Sequence, residues 1–195
     1  MSKTLGCGVA VLGVLVVLGL WAMGGYNNLV GLEEGVKGAW SQVENAYQRR
    51  ADLIPNLVET VKGAANFERG TLEAVTEARA KVGQITFSGV PQAEDFARFQ
   101  AAQDGLSSAL SRLMAVVENY PELKATDAFR DLQAQLEGTE NRVAQERRKF
   151  NEAAQQFNTA RRRFPTVLIA NLLGFAEKPY FQSTPGADQP PKVQF

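Results

Sequence analysis

Apolar and polar positions divide this chain into two unlike parts. No charged residue occurs from Thr4 to Leu32, and Leu5–Met23 is a nearly unbroken apolar run. Wound as a helix, such a run covers about 30 Å of hydrocarbon, which predicts a membrane span; a buried core helix needs fewer apolar residues. About ten leucines and valines in the run each favour insertion by about 0.3–0.6 kcal/mol, while Lys3 can sit among the head groups.

Past the run the pattern becomes periodic. Leu32, Val36, Trp40, Val43, Tyr47, Ile54, Val58 and Val61 recur at helical spacing and predict one face of a long amphipathic helix. Pro55 lies inside it; lacking an amide hydrogen, it predicts a kink, or a break immediately restarted. The period resumes through Leu72, Val75, Ala78 and Val82. Ser88-Gly89-Val90-Pro91 then supplies a turn, and Glu94 and Asp95 place acid in the first turn of a helix presenting Phe96, Phe99, Leu106, Leu110, Leu113 and Val117. Tyr120-Pro121 ends that helix.

The most regular stretch follows. Phe129, Leu136, Val143, Phe150, Phe157 and Phe164 stand seven apart, and Leu132, Thr139, Glu146, Ala153 and Ala160 lie three positions after the first five. A heptad predicts left-handed supercoiling against neighbouring helices, with Thr139 and Glu146 as polar intrusions in the seam. The phenylalanine series reads as bundle core, with an aromatic ligand groove as the alternative. The fold expected is all-α: a transmembrane anchor over residues 1–25, an elongated helical bundle over 26–181, and an extended or disordered, proline-rich tail over 182–195. The tail's apolar end, Val193-Gln194-Phe195, is a candidate docking segment.

Composition narrows the chemistry. Lysine plus arginine balance aspartate plus glutamate at 21 each, so no global attraction to nucleic acid is expected. The chain has no histidine, and its single cysteine is Cys7. The usual zinc ligands, general bases and thiol nucleophiles are therefore missing, and neither a metal, a cofactor nor a catalytic residue is assigned. Adjacent acids such as Glu33-Glu34 or Glu94-Asp95 diverge on a helix and do not converge on a substrate. A lipid-modified Cys7 is not expected either, since the apolar run follows it. Ala22-Met23-Gly24 is a tripeptide that signal peptidase accepts, but the run is long for a signal core, and a retained anchor is the expectation. With Lys3 on one side and Lys37 the first basic residue on the other, the positive-inside tendency places the bundle outside the cytoplasm.

Several stretches resemble the LemA family. These are Tyr26-Asn27-Asn28-Leu29-Val30, Ala39-Trp40-Ser41-Gln42-Val43-Glu44, the run from Tyr47 through Asp52-Leu53-Ile54-Pro55-Asn56-Leu57 to Gly63, Glu140-Asn141-Arg142, Arg147-Arg148-Lys149-Phe150-Asn151, and Phe164-Pro165 through Gly174-Phe175 to Lys178-Pro179-Tyr180-Phe181. The resemblance runs in order from the anchor to about Phe181. It implies a single-pass protein of the bacterial cytoplasmic (inner) membrane with an antiparallel helical bundle, in a setting with a membrane protease or another membrane protein as partner. Relatives commonly carry histidine before the acid near Asn66-Phe67-Glu68; here it is absent.

Three groups are candidate surfaces. Arg49, Arg50, Asp52, Asn56 and Glu59 cluster around Pro55, as a partner surface or as internal pairs that fix a kink. Arg161, Arg162 and Arg163 precede Phe164-Pro165 and the apolar Val167–Leu173; with Leu168 and Leu172 they form a candidate anionic-lipid contact, the alternative being a short helix packed back on the bundle. Gly24, Gly31 and Gly38 repeat every seven residues beside Gly35, and the Gly31–Gly35 spacing allows close helix approach, so a homo-oligomer is expected, with a flexible joint as the alternative. The leading expectation is a non-enzymatic scaffold or adaptor, and the alternative an anionic-lipid-binding or membrane-remodelling module.

Overall fold

The computed structural model describes residues 2–63 and 67–182, and within them every regular element is a helix. The expectation for the tail falls outside this range beyond Gln182. α1 (Ser2–Lys62) is a single helix of 61 residues, a rod of about 90 Å at about 1.5 Å per residue. Its first part is long and apolar enough to cross a membrane, and from Leu12 to Leu20 the side chains are exposed to whatever surrounds the molecule. Its second part carries the predicted amphipathic face: Val36, Trp40, Val43, Tyr47, Ile54, Val58 and Val61 are buried and Leu32 is half-buried, and Leu29 and Leu57 join them in the core.

Around that half pack α2 (Arg69–Gly83), α3 (Ala93–Val117), a single turn α4 (Pro121–Lys124), α5 (Asp127–Arg162) and α6 (Thr166–Leu172). α2 returns toward the anchor, α3 runs away from it, and α5 runs back antiparallel to α1. The turn between α2 and α3 takes Gly89 to φ 144°, where a side chain would be strained. Thr126 caps α5, its hydroxyl accepting from the Phe129 amide at 3.3 Å.

The core forms two clusters along the rod, of different character. Near the anchor it is aromatic: Trp40, Tyr47, Phe96, Phe99, Phe150, Phe157 and Phe181 pack with Leu29, Val36 and Val143. Far from the anchor it is mainly aliphatic, built on Ile54, Leu57, Val61, Val75, Leu106, Leu113 and Leu136, with Phe67 and Phe129.

One expectation narrows and another changes. Of the kink or break expected at Pro55, the break does not occur, since α1 runs through it as one helix. The Ala51 carbonyl, which loses its helical donor to the proline, accepts instead from Arg79 Nε of α2 at 3.0 Å. The heptad series holds from Phe129 to Phe157 but not at Phe164, which is 82% exposed. α5 ends at Arg162 because Pro165 disfavours helix at the residue before it, and the register is lost with the helix. The polar seam positions satisfy themselves within α5. Thr139 donates to the Leu136 carbonyl at 2.8 Å, and the buried Glu146 carboxylate takes Arg142 Nε at 2.9 Å and Lys149 Nζ at 3.1 Å.

Candidate functional site

The glycine positions lie on the side of α1 turned away from the bundle. α1 stays helical through Gly24, Gly31, Gly35 and Gly38, and a β-carbon built on any of the four meets nothing within 4 Å. Gly25 is different: there a β-carbon would come within 2.9 Å of Ile169 Cδ1, so the Ile169 side chain of α6 packs directly on the α1 backbone.

The five polar residues around Pro55 do not form one surface. Arg50 is 1% exposed and reaches across the bundle, its Nη1 on Glu140 Oε1 at 2.6 Å and Ser107 Oγ at 2.8 Å, its Nη2 on Gln103 Oε1 at 2.6 Å. Its guanidinium also lies 5.1 Å from the Tyr47 ring centroid. Burial pushes the Tyr47 phenol up to about 12, against the pull of Arg147 and Arg50. Arg50 therefore ties α1 to α3 and α5 at the junction of the aromatic and aliphatic cores. Arg49, Asp52, Asn56 and Glu59 stay exposed. Asp52 accepts from Gln48 at 2.7 Å and Glu59 pairs with Lys62 at 2.8 Å, while Arg49 lines an open cleft of about 480 Å³ with Gln42, Asn45, Gly138 and Arg142.

The basic triplet also divides. Arg161 is engaged, donating from Nε to the Phe175 carbonyl at 2.6 Å beside Glu177, whereas Arg162 and Arg163 are exposed. In α6, Ile169 and Ala170 face the bundle, and Leu168 and Leu172 face outward at 59% and 84% exposure.

Sequence reasoning missed a clamp. After Gly174, at φ 74°, the chain runs without helix along the bundle, and three side-chain amides hold it. Asn158 accepts from the Lys178 amide at 2.9 Å and donates to its carbonyl at 2.8 Å. Asn151 does the same to Phe181 at 2.9 and 3.1 Å, and Gln100 to Gln182 at 3.3 Å in both directions. Each amide stands in for a neighbouring strand, so a segment with no ladder of its own is satisfied. Phe181 then enters the core, with its ring 4.6 Å from Phe96 and the Arg147 guanidinium 4.6 Å from its centroid. Lys178 pairs with Glu33 of α1 at 2.6 Å. The signal lay in the heptad itself, since Asn151 and Asn158 each follow a core phenylalanine, seven residues apart.

The sequence model described as LemA family matches residues 39–195. The chain belongs to the LemA family. Its relatives include "Magnetosome protein MamQ 2" of Paramagnetospirillum magneticum, 28% identical over 201 residues that cover 93% of this chain and 73% of that protein. "Magnetosome protein MamQ" of Magnetospirillum gryphiswaldense is 30% identical over 183 residues, 85% of this chain and 67% of the other. "Protein LemA" of Metamycoplasma hominis is 25% identical over 162 residues, covering 83% and 71%. None of these names denotes an enzyme. In this LemA family chain, the family match begins at Ala39 and takes in Arg50, the clamp and α6, while the glycine face at Gly24, Gly31, Gly35 and Gly38 lies before it.

Proposed function

We propose that the protein is a non-enzymatic scaffold held in the bacterial cytoplasmic membrane, acting by assembling with copies of itself or by holding a membrane partner, such as a protease, against its helix faces. One observation carries the reading: the apolar span and the bundle share one continuous helix, α1, and its glycine face turns away from the chain's own bundle just beyond the span. A helix face without side chains lets a second backbone approach closely, and dispersion between helices can then hold the pair. The relatives' names mention a magnetosome in two organisms and none in the third, so no particular partner follows.

The test is the mass of the full-length protein in detergent. Gly31→Leu with Gly35→Leu should convert an oligomer to a smaller species in a sizing measurement, and an unchanged mass would remove self-assembly through this face. Crosslinking in native membranes followed by mass analysis then separates self-association from an outside partner. The positive-inside tendency supports a bundle outside the cytoplasm, and reporter fusions at the C-terminus check that side.

A second reading, contact with anionic lipid, is favoured by the exposure of Arg162, Arg163, Leu168 and Leu172. Arg161 takes no part in it, because its guanidinium is committed to Phe175 and Glu177.

A further inference from the structure

Large apolar side chains that stand strongly exposed occur, among the described residues, in two places only. One is α1 itself, from Leu12 to Met23 with Tyr26; the other is the corner between α5 and α6, at Phe164, Leu168, Leu172 and Leu173, exposed by 82%, 59%, 84% and 53%. The two places adjoin. Ile169 of α6 rests on Gly25, two residues past the end of the apolar run, and Phe175 meets Tyr26 ring to ring at 6.1 Å. Two residues along a helix are about 3 Å, so α6 lies at the height where α1 leaves the hydrocarbon.

We propose that this corner is seated in the head-group layer of the same bilayer that α1 spans, fixing the rod to the membrane at two points. The inward side of α6 is already filled, Ile169 and Ala170 being buried, so the outward leucines are not left over for the chain's own core. Leu168 and Leu172 are four apart and share a helix face, with Phe164 one turn before them in sequence. Arg162 and Arg163 stand exposed beside the face, where guanidinium groups meet lipid phosphates. A second copy or another protein covering these leucines would have to enter the head-group layer to reach them; lipid is already there. Seating the corner deepens the lipid reading: apolar insertion holds the contact, and the two arginines add to it. It would also restrain the tilt of a rod that otherwise meets the membrane through one helix.

The inference rests on the reading of Leu5–Met23 as a span, and the experiment keeps the two apart. In full-length protein carrying Cys7→Ser, single nitroxide labels are placed at Leu15→Cys, Leu168→Cys, Leu172→Cys and Glu122→Cys. The protein is reconstituted in vesicles of phosphatidylcholine and phosphatidylglycerol. Collision with oxygen relative to a water-soluble nickel chelate should be several-fold higher at residues 168 and 172 than at 122, and highest at 15. A lipid-like signal at 15 with water-like signals at 168 and 172 overturns the seated corner alone. A water-like signal at 15 removes the span and the corner together. Spectral broadening at 168 or 172 that disappears on dilution with unlabelled protein assigns the face to a second copy and overturns the proposal.

Discussion

The two halves of the rod solve the same packing problem with different materials. The half far from the anchor closes on itself with interdigitated leucine, isoleucine and valine from α1, α2, α3 and α5. The half near the anchor is aromatic. Trp40 alone has Phe87, Phe96, Phe99, Phe150 and Phe181 around it, with centroids between 5.3 and 6.2 Å. α2 ends at Gly83, before this level; Ile85, Phe87 and Val90 after it pack on the aromatic core, and the non-helical segment at Lys178–Gln182 supplies a further wall. Four continuous helices suffice at one end; at the other, bulky rings and a clamped strand fill the space a helix leaves.

Because of that contrast, the aromatic half should fail first when its centre is removed. Trp40→Ala is expected to cost about 3–5 kcal/mol, read from denaturant unfolding in detergent. Hydrogen exchange should show protection lost around residues 143–181 before residues 54–75. Uniform loss along the rod would make it one cooperative unit and erase the distinction. Leu113→Ala, about 2–5 kcal/mol, should show the opposite order.

The join between the halves is the next target. Arg50→Met keeps most of the volume but strips Gln103 and Glu140 of their charged donor, for an expected cost of about 2–4 kcal/mol. Glu140 is 47% exposed and can be rehydrated, which keeps the figure below that of a fully buried pair. Because Arg50 bridges α1, α3 and α5, its loss should let the two halves unfold at separate denaturant concentrations. A single transition would show that the apolar contacts alone couple them.

Tyr47, beside Arg50, gives a handle in pH. Its phenol is pushed from 10 up to about 12 by burial, so the unfolded chain releases the proton first as pH rises. The fold keeps the full benefit below pH 10 and loses about 2–3 kcal/mol between pH 10 and about 12. Tyr47→Phe should flatten that part of the stability profile, and an unchanged slope would assign the alkaline loss to other groups.

The clamp is a smaller effect. Asn151→Ala or Asn158→Ala removes one acceptor and at least one donor from backbone groups of the Lys178–Gln182 segment, at about 1–2 kcal/mol each. Amide exchange at Phe181 and Lys178 should quicken while the aliphatic half is untouched. Equal acceleration in both halves would mean that the segment matters to the whole rod.

What could be read in advance follows from which contacts are periodic. Every apolar position expected on α3 is buried, and on α5 the seam is buried at Phe129, Leu136, Val143, Phe150 and Phe157, because helix packing imposes spacing that a sequence displays. The apolar run was legible for the same reason, through length. Arg50 looked like its neighbours Arg49 and Asp52, and nothing in the spacing says that it alone turns inward to meet Glu140, 90 residues away. The clamp escaped because asparagine bonded to non-helical backbone has no period of its own. Phe164 misled because it keeps the heptad number while Pro165 removes the helix that gives the number meaning.

The smallest expected effect isolates how α1 survives its proline. Pro55 cannot donate, so the Ala51 carbonyl needs another partner, and Ala51 is buried enough that water is a poor one. Arg79 Nε fills the role from α2, although most of Arg79 is exposed. Arg79→Ala should cost about 0.5–1.5 kcal/mol, and Arg79→Lys should restore only part, since a flexible ammonium lacks the fixed direction of the guanidinium edge. The decisive comparison is with Pro55→Ala, in which residue 55 again supplies a helical amide to Ala51. There the same Arg79→Ala change should cost much less, as read by paired unfolding midpoints. An equal cost in both backgrounds would detach Arg79 from the proline and leave the continuity of α1 to its packed face alone.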